Sequence, residues 1–190
     1  LFNGVVTRIS QTLVWNSALM TKVYFPRLVP PLATVLSTGF SFVIQISAFF
    51  LFAIGYALAG RFTWNMGIEA LAVPVLLLVL LALAFGLGLL VASLSVRYRD
   101  LSFLIGFVLQ LLMYMSPVIF PLSRVDEGSG LRALLEANPM TPILEGFRAA
   151  LFVLPMDWGT VLYSAAWAAV ALVGGLFLFQ RVQRSFADVI

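Results

Sequence analysis

The chain has 190 residues, 62% apolar and 10% charged, where a soluble domain is nearer half apolar and about a quarter charged. That much apolar surface exceeds what a water-soluble core of this size encloses, so the composition identifies an integral membrane protein. Cys and His are absent, which excludes disulfides, thiol and imidazole catalysis and the usual zinc, haem and iron–sulfur ligand sets. The only lysine, Lys22, precedes Val23, so a GxxxxGK[ST] phosphate loop is impossible, and a net charge of +3 over separated sites is no nucleic-acid patch.

In chain order, residues 1–15 are expected to be the inner part of a span whose beginning precedes Leu1; they show no positively charged n-region followed by a small-residue cleavage site. Charge-free runs then mark the remaining spans. There are 33 uncharged residues between Arg27 and Arg61, 27 between Glu69 and Arg97, and 23 each between Asp100 and Arg124 and between Asp157 and Arg181. Each exceeds the roughly 20 residues that a helix needs to cross the hydrocarbon core, and helices satisfy their own backbone there. The expected fold is an all-α polytopic bundle forming a single domain, 1–190, with full spans at 32–58, 70–95, 101–120 and 159–180 and part of a fifth at 1–15.

Orientation follows from Lys and Arg in the short joints. Lys22 and Arg27, Arg97 and Arg99, and Arg181 and Arg184 fall on one side, so 16–31, 96–100 and the C-terminal end are expected to face the cytoplasm. The joint 121–158 lies opposite. With Pro117 ahead of it, it carries Pro121, Pro139, Pro142 and Pro155. Pro117 and Pro121 are expected to break the end of the 101–120 span. Within the joint, Leu131–Ala137 and Pro142–Val153 read as short helices with apolar faces, with Asn138 a capping residue ahead of Pro139. They are expected to be re-entrant helices on the outer side.

The span faces differ. Thr34, Thr38, Ser41 and Gln45 recur at i, i+4, i+7 and i+11 along 32–58, and Phe103, Phe107, Gln110 and Tyr114 form a similar stripe in 101–120. Such stripes read either as helix–helix hydrogen bonding or as the lining of a translocation path. Ala82 with Gly86, Ala84 with Gly88, and Ser164, Ala168, Ala171 and Gly175 form small-residue rows, which are close-packing surfaces. No span carries a charge at its middle, so an ion-coupled mechanism is disfavoured and the driving force is expected from a partner. The stretch 16–31 ends in a basic-aromatic cluster that, by itself, reads as an interfacial anchor.

Five blocks carry a family resemblance: NSALMTKVYFPR (16–27), LSVRYRDLSFLIGFVLQ (94–110), MSPVIFPLS (115–123), NPMTPILEGFRAAL (138–151) and FQRVQRSFADVI (179–190). In order and spacing the chain resembles the ABC-2 permeases that export O-antigen, capsular polysaccharide and teichoic acid. The resemblance implies six spans in a full-length subunit and a coupling helix at 16–27 that docks on the ATP-hydrolysing subunit through Asn16, Leu19, Lys22, Val23, Tyr24, Phe25 and Pro26. Thr21 stands where the family often has a second basic residue, which weakens the electrostatic part of that docking. It implies a cytoplasmic mouth at Arg97, Tyr98, Arg99 and Asp100, where Asp100 is expected to cap the next helix and the arginines to meet substrate phosphate. Thr34, Thr38, Ser41, Gln45, Phe103, Phe107, Gln110 and Tyr114 would line the path, and Pro117, Pro121, Asn138, Pro139, Pro142 and Arg148 would shape an outer gate, Arg148 pairing with Glu145 or Glu136.

The implied protein is the permease subunit of a bacterial inner-membrane exporter of lipid-linked polysaccharide. It would act as a homodimer over two ATPase chains that hold the ATP and Mg, with no cofactor, metal or catalytic residue of its own. The alternatives are an exporter of small hydrophobic molecules or lipids on the same architecture and, remotely, a membrane enzyme acting on isoprenoid-linked sugars. The enzyme is disfavoured because Asp100 is the only carboxylate of the cytoplasmic joints before Asp188.

Overall fold

The computed structural model describes residues 1–15, 26, 28–60, 68–98, 100–126, 128–152 and 154–187. These form seven α-helices: α1 (Phe2–Trp15), α2 (Val29–Leu58), α3 (Ala72–Arg97), α4 (Leu101–Tyr114), α5 (Gly130–Ala137), α6 (Met140–Phe152) and α7 (Trp158–Ala187). Short 3₁₀ turns at Ile68–Leu71 and Leu122–Arg124 precede α3 and α5. Three helical stretches, Val29–Leu58, Glu69–Val96 and Trp158–Val182, are long and apolar enough to cross a membrane. At about 1.5 Å per residue each exceeds the roughly 30 Å hydrocarbon core. Pro30 and Pro31 stand in the first turn of α2, where a missing N–H costs no helical hydrogen bond.

The fourth expected span is shorter than its charge-free run. Helix α4 ends at Tyr114 after 14 residues, about 21 Å, and Met115–Val118 turn. The cause is Pro117, which has no N–H to offer the carbonyl of Met113 and disfavours helical backbone at Ser116.

Helix α3 is the hub. It packs most extensively on α7, then on α1, and also meets α2, α4 and α6. The core lies where α1, α3 and α7 converge: Val5, Val6 and Ile9 against Leu83, Ala84, Leu89 and Ala92, with Ala168, Ala171 and Phe179 from α7. The expected small-residue rows explain the closeness of that packing. A Cβ added at Gly86 would fall on the backbone of Ala171 and Leu172, and one at Gly175 on the carbonyl of Gly86. Gly88 faces the other neighbour, its added Cβ lying 3.0 Å from Ile9 of α1. Within hydrocarbon this van der Waals fit is the main attraction between helices. A second apolar cluster, Ala72, Leu76, Ala150 and Val161, seats α6 beside the start of α3.

Candidate functional site

The chain's polar chemistry gathers where α4 ends and the α5–α6 corner begins. Leaving the helix at Tyr114 strands backbone carbonyls, and in an apolar protein each must find a partner. Asn138 and Arg148 supply donors to those carbonyls, and Glu145 accepts a backbone N–H of the same segment. Asn138 Nδ2 donates to the carbonyl of Met115 (3.1 Å) and to Ser116 Oγ (2.9 Å). Arg148 Nη2 donates to the carbonyls of Pro117 and Val118 (2.9 Å to the latter). Glu145 Oε1 accepts from Arg148 Nη1 (2.7 Å) and from the backbone N–H of Leu122 (2.9 Å). The guanidinium fork serves a carboxylate and two carbonyls at once, which suits its fixed geometry.

Asn138 also starts the next helix: its Oδ1 accepts from Met140 N (3.0 Å) and its carbonyl from Thr141 N (3.0 Å), an Asx arrangement that opens α6. The corner is pinned to α7, since Ser164 Oγ donates to the Pro139 carbonyl (2.8 Å) and the Tyr163 hydroxyl to the Ala137 carbonyl (2.8 Å). Thr141 Oγ1 donates to the Leu135 carbonyl (2.6 Å), closing α5 onto α6. Of the two pairings open to Arg148, Glu145 is the one formed; Glu136 pairs with Arg132 at 2.8 Å. The structure therefore brings Pro117, Asn138, Pro139 and Arg148 into one cluster, with Pro142 buried in α6. Pro121 borders it as the residue ahead of the 3₁₀ turn. The sequence reading missed Ser116, and it assigned Ser164 to packing alone. The retrievable signal for both was a hydroxyl in an apolar stretch facing a proline-broken segment.

The two expected path stripes have different surroundings. On α2, Thr34 Oγ1 donates to the Pro30 carbonyl (3.0 Å) and Ser41 Oγ to the Ser37 carbonyl (3.0 Å), so these hydroxyls are satisfied within their own helix. Thr38 Oγ1 is buried and has no hydrogen-bond partner among the described residues. Gln45 lines a cavity of about 520 Å³ together with Phe42, Ile46 and Phe49 of α2, Leu112 and Met113 of α4 and Met140 and Phe147 of α6, with the start of α1 and Leu80 of α3 closing it further. Phe42 meets Phe147 edge-on at 6.3 Å. On α4, Phe103 (84% exposed), Phe107, Gln110 and Tyr114 are exposed and line no part of this cavity.

At the α3–α4 turn, Tyr98 and Asp100 are exposed. Asp100 precedes α4 but its side chain caps nothing, contrary to the expectation. Its backbone is already helical (φ −70, ψ −19), whereas a capping side chain reaches back from an extended conformation. Its carbonyl, not its carboxylate, accepts from Phe103 and Leu104. Arg97 closes α3, and Arg99 lies outside the described residues. So do Asn16, Leu19, Lys22, Val23, Tyr24 and Phe25 of the expected coupling helix; Pro26 is exposed just ahead of α2. Among the described residues no group of three or more His, Cys, Asp or Glu is placed to hold a metal.

The profile of the ABC-2 type transporter family matches residues 1–152. The chain is similar to an O-antigen export system permease protein RfbA of Myxococcus xanthus, 28% identical over 175 residues, covering 90% of this chain and 64% of that protein. It is also similar to a protein of the same name from Klebsiella pneumoniae, 23% identical over 177 residues, covering 92% of this chain and 65% of that protein. The chain thus spans just under two thirds of the length of these curated relatives.

Proposed function

The chain belongs to the ABC-2 type transporter family, and from that premise we propose that it is the membrane-spanning permease subunit of a bacterial inner-membrane exporter of O-antigen-like, lipid-linked polysaccharide. The observation that carries the reading is the family match running through all of α1 to α6, joined by two relatives whose names specify O-antigen export. Two copies form the path between them, and two separate ATPase chains supply ATP and Mg chemistry from the cytoplasmic side. The exposed aromatic-polar stripe of α4 supports a path at the subunit surface: Phe103, Phe107, Gln110 and Tyr114 are open to a second copy and to substrate.

In this mechanism nucleotide-driven closure of the ATPases acts on the coupling segment 16–27 and shifts the spans against each other. Substrate phosphate meets Arg97 and Arg99 at the mouth, the glycan passes the α4 stripe, and the α5–α6 corner forms the outer gate. The test is co-expression of the whole gene product with its ABC ATPase, comparing the parent with a Tyr24→Ala, Phe25→Ala double variant. The expected result is loss of both co-purification and polysaccharide-stimulated ATP hydrolysis, with the permease still in the membrane. Unchanged partner binding and turnover would return 16–31 to a membrane anchor.

A further inference from the structure

Helices α4 and α6 have no broad helix–helix contact. Both line the 520 Å³ cavity, Leu112 and Met113 from α4 and Leu144 and Phe147 from α6. What joins them is the turn 115–122, whose Ser116 and Val118 also line the cavity. Among the described residues no backbone–backbone hydrogen bond links this turn to α6. The connection is made by side chains of Asn138, Glu145 and Arg148, which reach Met115, Ser116, Pro117, Val118 and Leu122.

We infer that Asn138, Glu145 and Arg148 form a latch that straps the 115–122 turn to α6 and so makes the end of α4 and the α5–α6 corner move as one body. The physical case is that the latch is the stiff element of a loose region. A cavity leaves both helices room to shift, whereas the part-buried Pro117 carbonyl loses the guanidinium bond if Arg148 leaves, and unsatisfied backbone groups away from water are costly. Arg148 is half-buried and charge-paired with Glu145, which holds the fork in place and strengthens its bonds. The three are positioning residues, acting through the backbone they hold. The latch stands on contacts within one chain, so it does not depend on which substrate the protein carries.

These 190 residues hold no cysteine, so paired spin labels can be placed among them in the whole gene product once any cysteine outside them is replaced by Ser. One pair, Leu111→Cys with Phe152→Cys, reports on α4 against α6; another, Leu94→Cys with Phe177→Cys, reports on α3 against α7, all four sites being exposed. Labelled protein is diluted with unlabelled protein so that only distances within one chain are read by double electron–electron resonance. Arg148→Met is expected to broaden the α4–α6 distance distribution by about twofold, the spread of a locally opened unit, and to leave the α3–α7 pair unchanged. Glu145→Gln, which keeps the shape of the side chain, is expected to move it in the same direction by less, and Arg148→Lys, which keeps the charge without the fork, to fall between parent and Met. An α4–α6 distribution as narrow as the parent's in both Arg148→Met and Glu145→Gln would overturn the latch, as would equal broadening of both pairs, because the contacts would then serve the whole bundle.

Discussion

Replacing Gly86 by Ala tests how the bundle is held together. A Cβ there meets the backbone carbonyl carbon of Ala171 and the backbone nitrogen of Leu172, and neither can rotate aside as a side chain would. The α3–α7 seam, the most extensive in the bundle, must then part by about 1 Å, an overpacking that costs about 1–3 kcal/mol in well-packed cores. Ala gains up to about 1 kcal/mol over Gly in helix propensity, so the measured loss is the remainder. At roughly 2–4 °C per kcal/mol for a domain of this size, the melting temperature in detergent, followed by circular dichroism, falls by several degrees. Gly174→Ala is the control. Its added Cβ has one neighbour, the end of the Leu90 side chain at 4.0 Å, so propensity dominates and stability holds or rises. If Gly86→Ala melts with Gly174→Ala or above the parent, the close approach of α3 and α7 is wrong.

Two other outcomes follow from the same geometry. Asn138→Ala removes the donors to Met115 and Ser116 and the acceptor for Met140 N, and at about 1 kcal/mol per bond it destabilises by about 2–3 kcal/mol, readable as a lower melting temperature and faster proteolysis between α4 and α6. Thr34→Val with Ser41→Ala deletes hydroxyls that bond only within α2, so stability stays within about 0.5 kcal/mol; a drop in surface polysaccharide in cells carrying this double variant assigns the stripe to transport, and unchanged export assigns it to helix geometry.

Much of the local architecture was legible because it is governed by local rules. Charge-free runs ended near both ends of α2 and α3 and at the start of α7, since a charge is costly inside hydrocarbon and cheap at its edge, while α7 itself runs on past Arg181 to Ala187. Pro117 stopped α4 through its missing N–H, and α5 and α6 lie within two residues of Leu131–Ala137 and Pro142–Val153 at their starts. The site was less legible. Arg148 was paired correctly only as one of two options, and nothing in its sequence neighbourhood names Pro117 and Val118, thirty residues away, as its acceptors. Asp100 had the right residue type and place for a cap, but the conformation of its own backbone refused the role.

By itself, then, the sequence determined that this chain is a membrane protein of apolar helices, where they break, and which faces carry small or polar residues, because burial in hydrocarbon, helix period and proline sterics act over a few residues. Only the tertiary structure decided which faces meet. It set Gly86 against Ala171 while turning Gly88 toward Ile9, it left the α4 stripe exposed, and it handed the stranded carbonyls of the 115–122 turn to Asn138 and Arg148. Those choices depend on how helices distant in sequence cross, and the carbonyls that proline strands in one segment are satisfied by whichever donors that crossing brings near.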